Sequence, residues 1–239
     1  MLTTTNAIVL SKLRYRDHDL IVKCYTQQFG VVSFLIRGVL KSKKGNIKAA
    51  YFQLLSQLQI VIDYKKNKNL QTIKDIKINH LYTSLHSNVL KSSVVMFLSE
   101  VLSSILQEEE ENEILYSYLE TTLLWFDTHS ESSNFHLLFL LNLTKYLGFY
   151  PENINSESPY FNLKDGKFEN KNYGKNSIFG ENLTLLKTLL GITFDAINTI
   201  KINSKQRQSF LSMILLYFEL HLGGFKRPKS LEVFNQVFK

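Results

Sequence analysis

The hydrophobic period changes once along the chain, at about residue 80, and this constrains the fold more than any other feature of the sequence. Before that point apolar residues alternate with polar ones; after it they recur at every third and fourth position. Over residues 57–64, Leu58, Ile60, Ile62 and Tyr64 face one side while Gln57, Gln59 and Asp63 face the other, which predicts a strand covered on one face. Residues 6–13, 20–26, 31–37 and 70–78 repeat the pattern. Gly30 marks a turn between the second and third strands, residues 65–69 form a polar hairpin loop between the last two, and residues 38–52 are a long insert. Five short strands are too few for a sandwich but enough for a small, partly open barrel of the OB type.

Beyond residue 80, Val94, Leu98, Val101, Leu102 and Ile105 define one amphipathic helix. Ile114, Leu115, Tyr118, Leu119, Leu123 and Phe126 define a second after an acidic break, and residues 135–147 a third. Ser204 followed by residues 208–222 predicts a helix apolar on nearly every side, as at the centre of a bundle; after Pro228, residues 229–238 close the chain. Residues 151–180 show turn chemistry and little periodicity. The expected fold is α+β: a five-stranded OB-type β-barrel over residues 1–80, then an all-α helical domain over residues 81–239 with an irregular lobe at about 150–180.

Composition excludes several classes. The 44% hydrophobic content supplies a core, and no run of 18 apolar residues or basic leader occurs, so a soluble cytoplasmic protein without a membrane partner is expected. A single cysteine, Cys24, removes any disulfide framework or cysteine-based zinc site and reads as a buried structural thiol. There is no G-x-S-x-G elbow, no phosphate-binding G-x-x-x-x-G-K-[ST] loop and no G-x-G-x-x-G. The six histidines never stand three or four residues apart, and the acidic run of Glu108 to Glu111 with Glu113 reads as a solvated loop. A protein without catalytic site, metal or cofactor is expected.

Charge is where the chain is uneven. Residues 1–80 hold 14 of the 28 Lys and Arg but 4 of the 21 Asp and Glu, a net +10 against −3 for the remainder. Cations concentrated at one end suit a polyanion, because neutralised phosphates release their counterions. Arg37, Lys41, Lys43, Lys44 and Lys48 form the densest cluster, at the end of the third strand and in the insert behind it. Lys65, Lys66 and Lys68 occupy the hairpin loop between the last two strands, and Arg14 and Arg16 the turn between the first two. In an OB barrel these loops flank the face that receives a single strand. Tyr15 and Tyr51, beside loops, are candidate ring faces for bases, whereas Phe34, in line with Val32 and Ile36, reads as core. An RNA-binding OB protein and a non-catalytic adaptor for an acidic protein fit the same charge pattern.

Several ordered segments also resemble the RecO family of bacterial recombination mediators. They are Ala7-Ile8-Val9-Leu10, Tyr15-Arg16-Asp17-His18-Asp19, Thr26 with Gly30, Arg37-Gly38-Val39 with Lys41-Ser42, and Leu54-Leu55. Pro159 to Leu163, Asp165 to Phe168 and His221 to Leu231 continue the likeness to the end. The resemblance implies an OB domain ahead of a helical domain, binding to single-stranded and duplex DNA, annealing of complementary strands, and RecA loading with RecR on DNA coated by the single-strand binding protein SSB. By motif position it places DNA contact on Arg37, Lys41, Lys43 and Lys44. It suggests the SSB C-terminal tail as a partner, for which Phe225, Lys226, Arg227, Lys229 and Leu231 are the candidates. Many members of the family carry a four-cysteine zinc module where this chain has residues 151–180. No cysteine lies there, so the lobe is expected to be metal-free and held by Tyr160, Phe161, Phe168 and Tyr173.

Overall fold

A computed structural model of the chain describes residues 2–41, 47–107, 111–130 and 133–238. The alternating segments form β1 (Leu2–Tyr15), β2 (Asp19–Thr26), β3 (Gly30–Ile36), β4 (Gln57–Asp63) and β5 (Ile73–His80). They pair antiparallel in the order β3-β2-β1-β4-β5. β1 runs further than its alternation predicts, because Leu2 pairs with Asp63 of β4 at one end and Tyr15 with Asp19 of β2 at the other. A bulge between Val9 and Ser11 bends it. The edges β3 and β5 do not share a ladder. Just ahead of β5, Gln71 forms a parallel bridge to β3, where the Leu35 N–H donates to Gln71 O at 3.0 Å and the Gln71 N–H to Ser33 O at 2.8 Å. The result is the expected five-stranded, partly open OB-type barrel followed by helices.

Both faces of β1 are buried between Ala7 and Leu10. Ala7 and Val9 join Val22, Cys24, Phe34, Leu58, Ile60 and Ile62 in the barrel core, while Ile8 and Leu10 are buried on the other side, toward α1 (Val89–Ile105). Asn88 starts α1 by accepting hydrogen bonds from the Leu90 and Lys91 N–H groups. At its far end Lys23 Nζ donates to the Ser103 and Leu106 carbonyls at 3.0 and 3.2 Å, placing a cation on the negative end of the helix. α2 (Glu113–Thr128) follows, and its Asp127 carboxylate accepts the Thr83, Ser84 and Leu85 N–H groups at 2.8–2.9 Å. These bonds gather α1 and α2 into one compact unit with the sheet, joined by Pro228–Ser230. The change from strand to helix thus falls at residue 80, but the division by packing falls after Thr128.

The second unit contains α3 (Phe135–Tyr146), α4 (Gly180–Leu189), α5 (Ser204–His221) and α6 (Leu231–Val237). A capping box between Asn203 and Gln206 starts α5. Two expectations are corrected here. The helix buried on all sides is α3, where every residue from Phe135 to Leu141 is buried; α5 keeps an exposed stripe at Ser209, Ser212, Glu219 and Leu220. The lobe is more regular than expected: β6 (Tyr160–Asn162) lies between β7 (Lys167–Glu169) and β8 (Ser177–Ile178). Phe161 and Phe168 meet edge-to-face at 5.0 Å and are buried, and Tyr160 meets Phe179. Tyr173 is exposed and takes no part in this core.

His136 on α3 is fully buried against Phe234 and Phe238, with ring centroids at 4.8 and 5.6 Å. Burial, then the nearby Arg207 charge, lowers its pKa to about 3, so it is neutral in the folded protein. The unfolded chain takes up this proton at about pH 6.5. Stability from the neutral ring is therefore complete above that pH and declines as pH falls toward the folded value. His136→Phe is expected to reduce the loss of melting temperature between pH 7 and pH 4, read by circular dichroism.

Candidate nucleic-acid interface

Two basic segments distant in sequence are joined by hydrogen bonds from backbone N–H groups. The Gly38 N–H donates to Asp19 Oδ1 at 2.8 Å and the Leu40 N–H to His18 O at 3.0 Å, so the turn after β3 is pinned to the β1–β2 hairpin. Gly38 takes φ +65°, a left-handed conformation in which a side chain is strained. Lys41 N–H returns to Gly38 O at 3.1 Å and closes the turn. Arg14, Arg16, Arg37 and Lys41 are thereby brought to one end of the barrel, all exposed. Arg14 Nη2 donates to Asp17 O at 3.1 Å, and the Arg16 guanidinium lies 5.2 Å from the centre of the Tyr15 ring. Lys12, exposed on β1 next to this hairpin, was not singled out from the sequence; its place in the alternation before Arg14 was the available signal.

Lys48 is exposed, and Tyr51 is half-buried against the barrel core. Lys43 and Lys44 lie outside the described residues. The loop carrying Lys65, Lys66 and Lys68 is exposed and built around the buried side chain of Gln71. Gln71 Oε1 accepts the Lys65 N–H at 3.1 Å, and its Nε2 donates to the Lys65 and Lys68 carbonyls at 2.7 Å each. Because the Gln71 backbone bridges to β3, this loop is tied to the same strand that Arg37 follows. Lys65 also pairs with Asp63 at 3.6 Å. Phe29 and Tyr64 stack with ring centroids 4.4 Å apart, a pair that strand patterning did not reveal because its members are 35 residues apart.

The outer side of β2 is engaged with helices rather than open to a ligand. Lys23 is committed to the end of α1, with its pKa lowered by burial. Tyr25 is buried, donates to Asn112 O at 3.3 Å, and has its pKa pushed up by burial to about 12. Phe34 is core, as expected, and Cys24 is a buried thiol whose pKa burial raises to about 12.

Of the tail-docking candidates, Phe225 is half-buried and packs on Phe218 at 5.7 Å. Arg227 makes a two-pronged contact with Glu219 at 2.6 and 3.0 Å, which holds its guanidinium above its usual pKa. Lys229 belongs to the first compact unit; Phe225, Lys226, Arg227 and Leu231 belong to the second. The lobe offers no thiolate, so a four-cysteine zinc module does not fit it. Among the described residues no group of three or more His, Cys, Asp or Glu is placed to hold a metal ion, and no helix is long and apolar enough to cross a membrane.

An OB-type barrel with a basic rim, continued by a helical body, defines the class. Family models for the recombination protein O N-terminal and C-terminal regions match residues 1–82 and 86–232. DNA repair protein RecO of Christiangramia forsetii is 48% identical over 238 residues, covering all of both chains. That of Flavobacterium psychrophilum is 43% identical over 98% of both, and that of Bacteroides fragilis 35% identical over all of both. The chain belongs to the RecO family of DNA repair proteins.

Proposed function

We propose that this chain is a non-catalytic recombination mediator that binds single-stranded and duplex DNA, anneals complementary strands, and with RecR assists RecA loading on SSB-coated DNA. The observation that carries the DNA-binding reading is the union of the β1–β2 hairpin with the turn after β3, which assembles Arg14, Arg16, Arg37 and Lys41. Lys48 and the Lys65–Lys68 loop extend the positive charge, Lys43 and Lys44 are included by their place in the sequence, and Tyr15 and Tyr51 are the ring faces offered to bases. Annealing then follows from charge neutralisation. Two strands whose phosphates repel are held together on one basic surface, with no ATP and no nucleophile required.

The SSB tail is assigned to Phe225, Lys226, Arg227 and Leu231 of the second unit, where an incoming carboxylate must displace Glu219 to reach Arg227. If about four to six phosphates are engaged, log K against log salt should slope at about −3 to −4 on single strands. Replacing Arg14, Arg16, Arg37 and Lys41 together with Ala is expected to move that slope toward zero by about 3 and to weaken all sequences alike. A slope unchanged by the substitution refutes this placement. Annealing of SSB-coated complementary oligonucleotides, with and without the protein, tests the mediator role; no acceleration would refute it. Matched RNA and DNA oligonucleotides in competition separate it from an RNA-binding role.

A further inference from the structure

We infer that Phe29 and Tyr64, beside the Lys65–Lys68 loop, form a stacking site for an unpaired nucleobase. This rests on the DNA-binding reading above and narrows it to single strands at one place. The outward face of strands two and three is where an OB fold usually receives a strand. Here Lys23 and Tyr25 on that face are bonded to Ser103, Leu106 and Asn112, and Tyr25 packs on Tyr116 with ring centroids 6.0 Å apart. A base cannot reach Tyr25 without unseating these contacts.

At the Gly30 end of β3 two aromatic rings are more exposed than Tyr25. The Phe29 and Tyr64 rings are nearly parallel, with 22° between their planes, and both are only half-buried. Three exposed lysines follow Tyr64 within four residues, on a loop whose backbone Gln71 already holds in place. A strand whose phosphates sit on these lysines brings its bases to the ring pair, and a flat base extends a stack that already exists. Bases within a duplex have both faces covered by their neighbours and gain nothing there. The cations Arg14, Arg16, Arg37 and Lys41, which meet phosphates, treat both forms alike.

Phe29 and Tyr64 also pack against the barrel core, so the test keeps their apolar bulk. Full-length F29L/Y64L is compared with the unmodified protein for binding to a 2-aminopurine-labelled single strand and to a hairpin duplex. Single-strand affinity is expected to fall about fivefold or more, with loss of the quenching that stacking causes, while duplex affinity stays within about twofold. Unchanged single-strand affinity and quenching overturn the inference. So does an equal loss on both substrates, which would make the pair only a plug for the barrel. Should the double variant not fold, Y64L alone is held to the same criteria. An unmodified protein that binds neither oligonucleotide defeats the DNA-binding reading itself, a distinct result.

Discussion

Asp127→Ala is expected to cost the first compact unit about 3–5 kcal/mol, read as a drop in its urea midpoint at pH 7. The carboxylate is 7% exposed and accepts the Thr83, Ser84 and Leu85 N–H groups together with the Thr83 and Ser84 hydroxyls. Removing it strands three backbone donors and leaves the Lys91 ammonium, bonded to Ser84 Oγ at 2.6 Å and Asp127 O at 2.8 Å, without a nearby negative charge. Burial alone would raise the pKa of this carboxyl, but the hydrogen bonds from Thr83, Ser84 and Leu85 outweigh it and hold the value at about 2. The folded value lies below the unfolded one. Stability from Asp127 is therefore complete above the ordinary carboxylate range and lost as pH falls toward 2. Asp127→Asn is expected to flatten that acid limb; urea midpoints at pH 7, 4 and 2.5 that fall as steeply as in the unmodified protein would contradict it.

Gly166→Ala is expected to destabilise the second unit by about 2–4 kcal/mol, from two independent causes. Gly166 turns the chain between β6 and β7 at φ +68°, where a side chain is strained. A Cβ there would also stand 2.7 Å from the Tyr217 hydroxyl, which donates to Phe149 O at 2.7 Å. Tyr217 is committed at that spot: its ring meets those of Phe149, Phe161 and His221, and His221 Nε2 is bonded to Leu163 O at 2.8 Å. The added methyl must displace the hydroxyl or the turn. Adding Tyr217→Phe to Gly166→Ala is expected to recover the steric part and leave the conformational part. A double-mutant cycle on thermal unfolding separates them, and strictly additive effects would show that the clash is not the cause.

The sheet was legible because alternation is a local property. Each strand announced its buried face in residues such as Leu58, Ile60 and Ile62, and the structure buries all three. The interface was legible as composition but not as geometry. Arg14 and Arg16 stand more than 20 positions before Arg37 and Lys41, and nothing local indicates that Asp19 and His18 bind the backbone of Gly38 and Leu40. Phe29 and Tyr64 were missed for the same reason. α4 was missed because it opens on Gly180, which reads as a turn, and surrounds its buried Leu183, Leu186 and Leu189 with Glu181, Asn182 and Thr184.

Local pattern and composition were enough for the order of strands and then helices, the concentration of cations in the first third, and the absence of cysteine from residues 151–180. Each depends on neighbouring residues or on a count. The packing of α1 and α2 with the sheet, their engagement of the outer face of β2 and the meeting of two basic turns at one end of the barrel emerge from the folded chain alone. The hydrogen bonds that mark those outcomes join groups 19 to 87 positions apart, and pairing at that range follows from how the chain closes on itself, not from any local pattern.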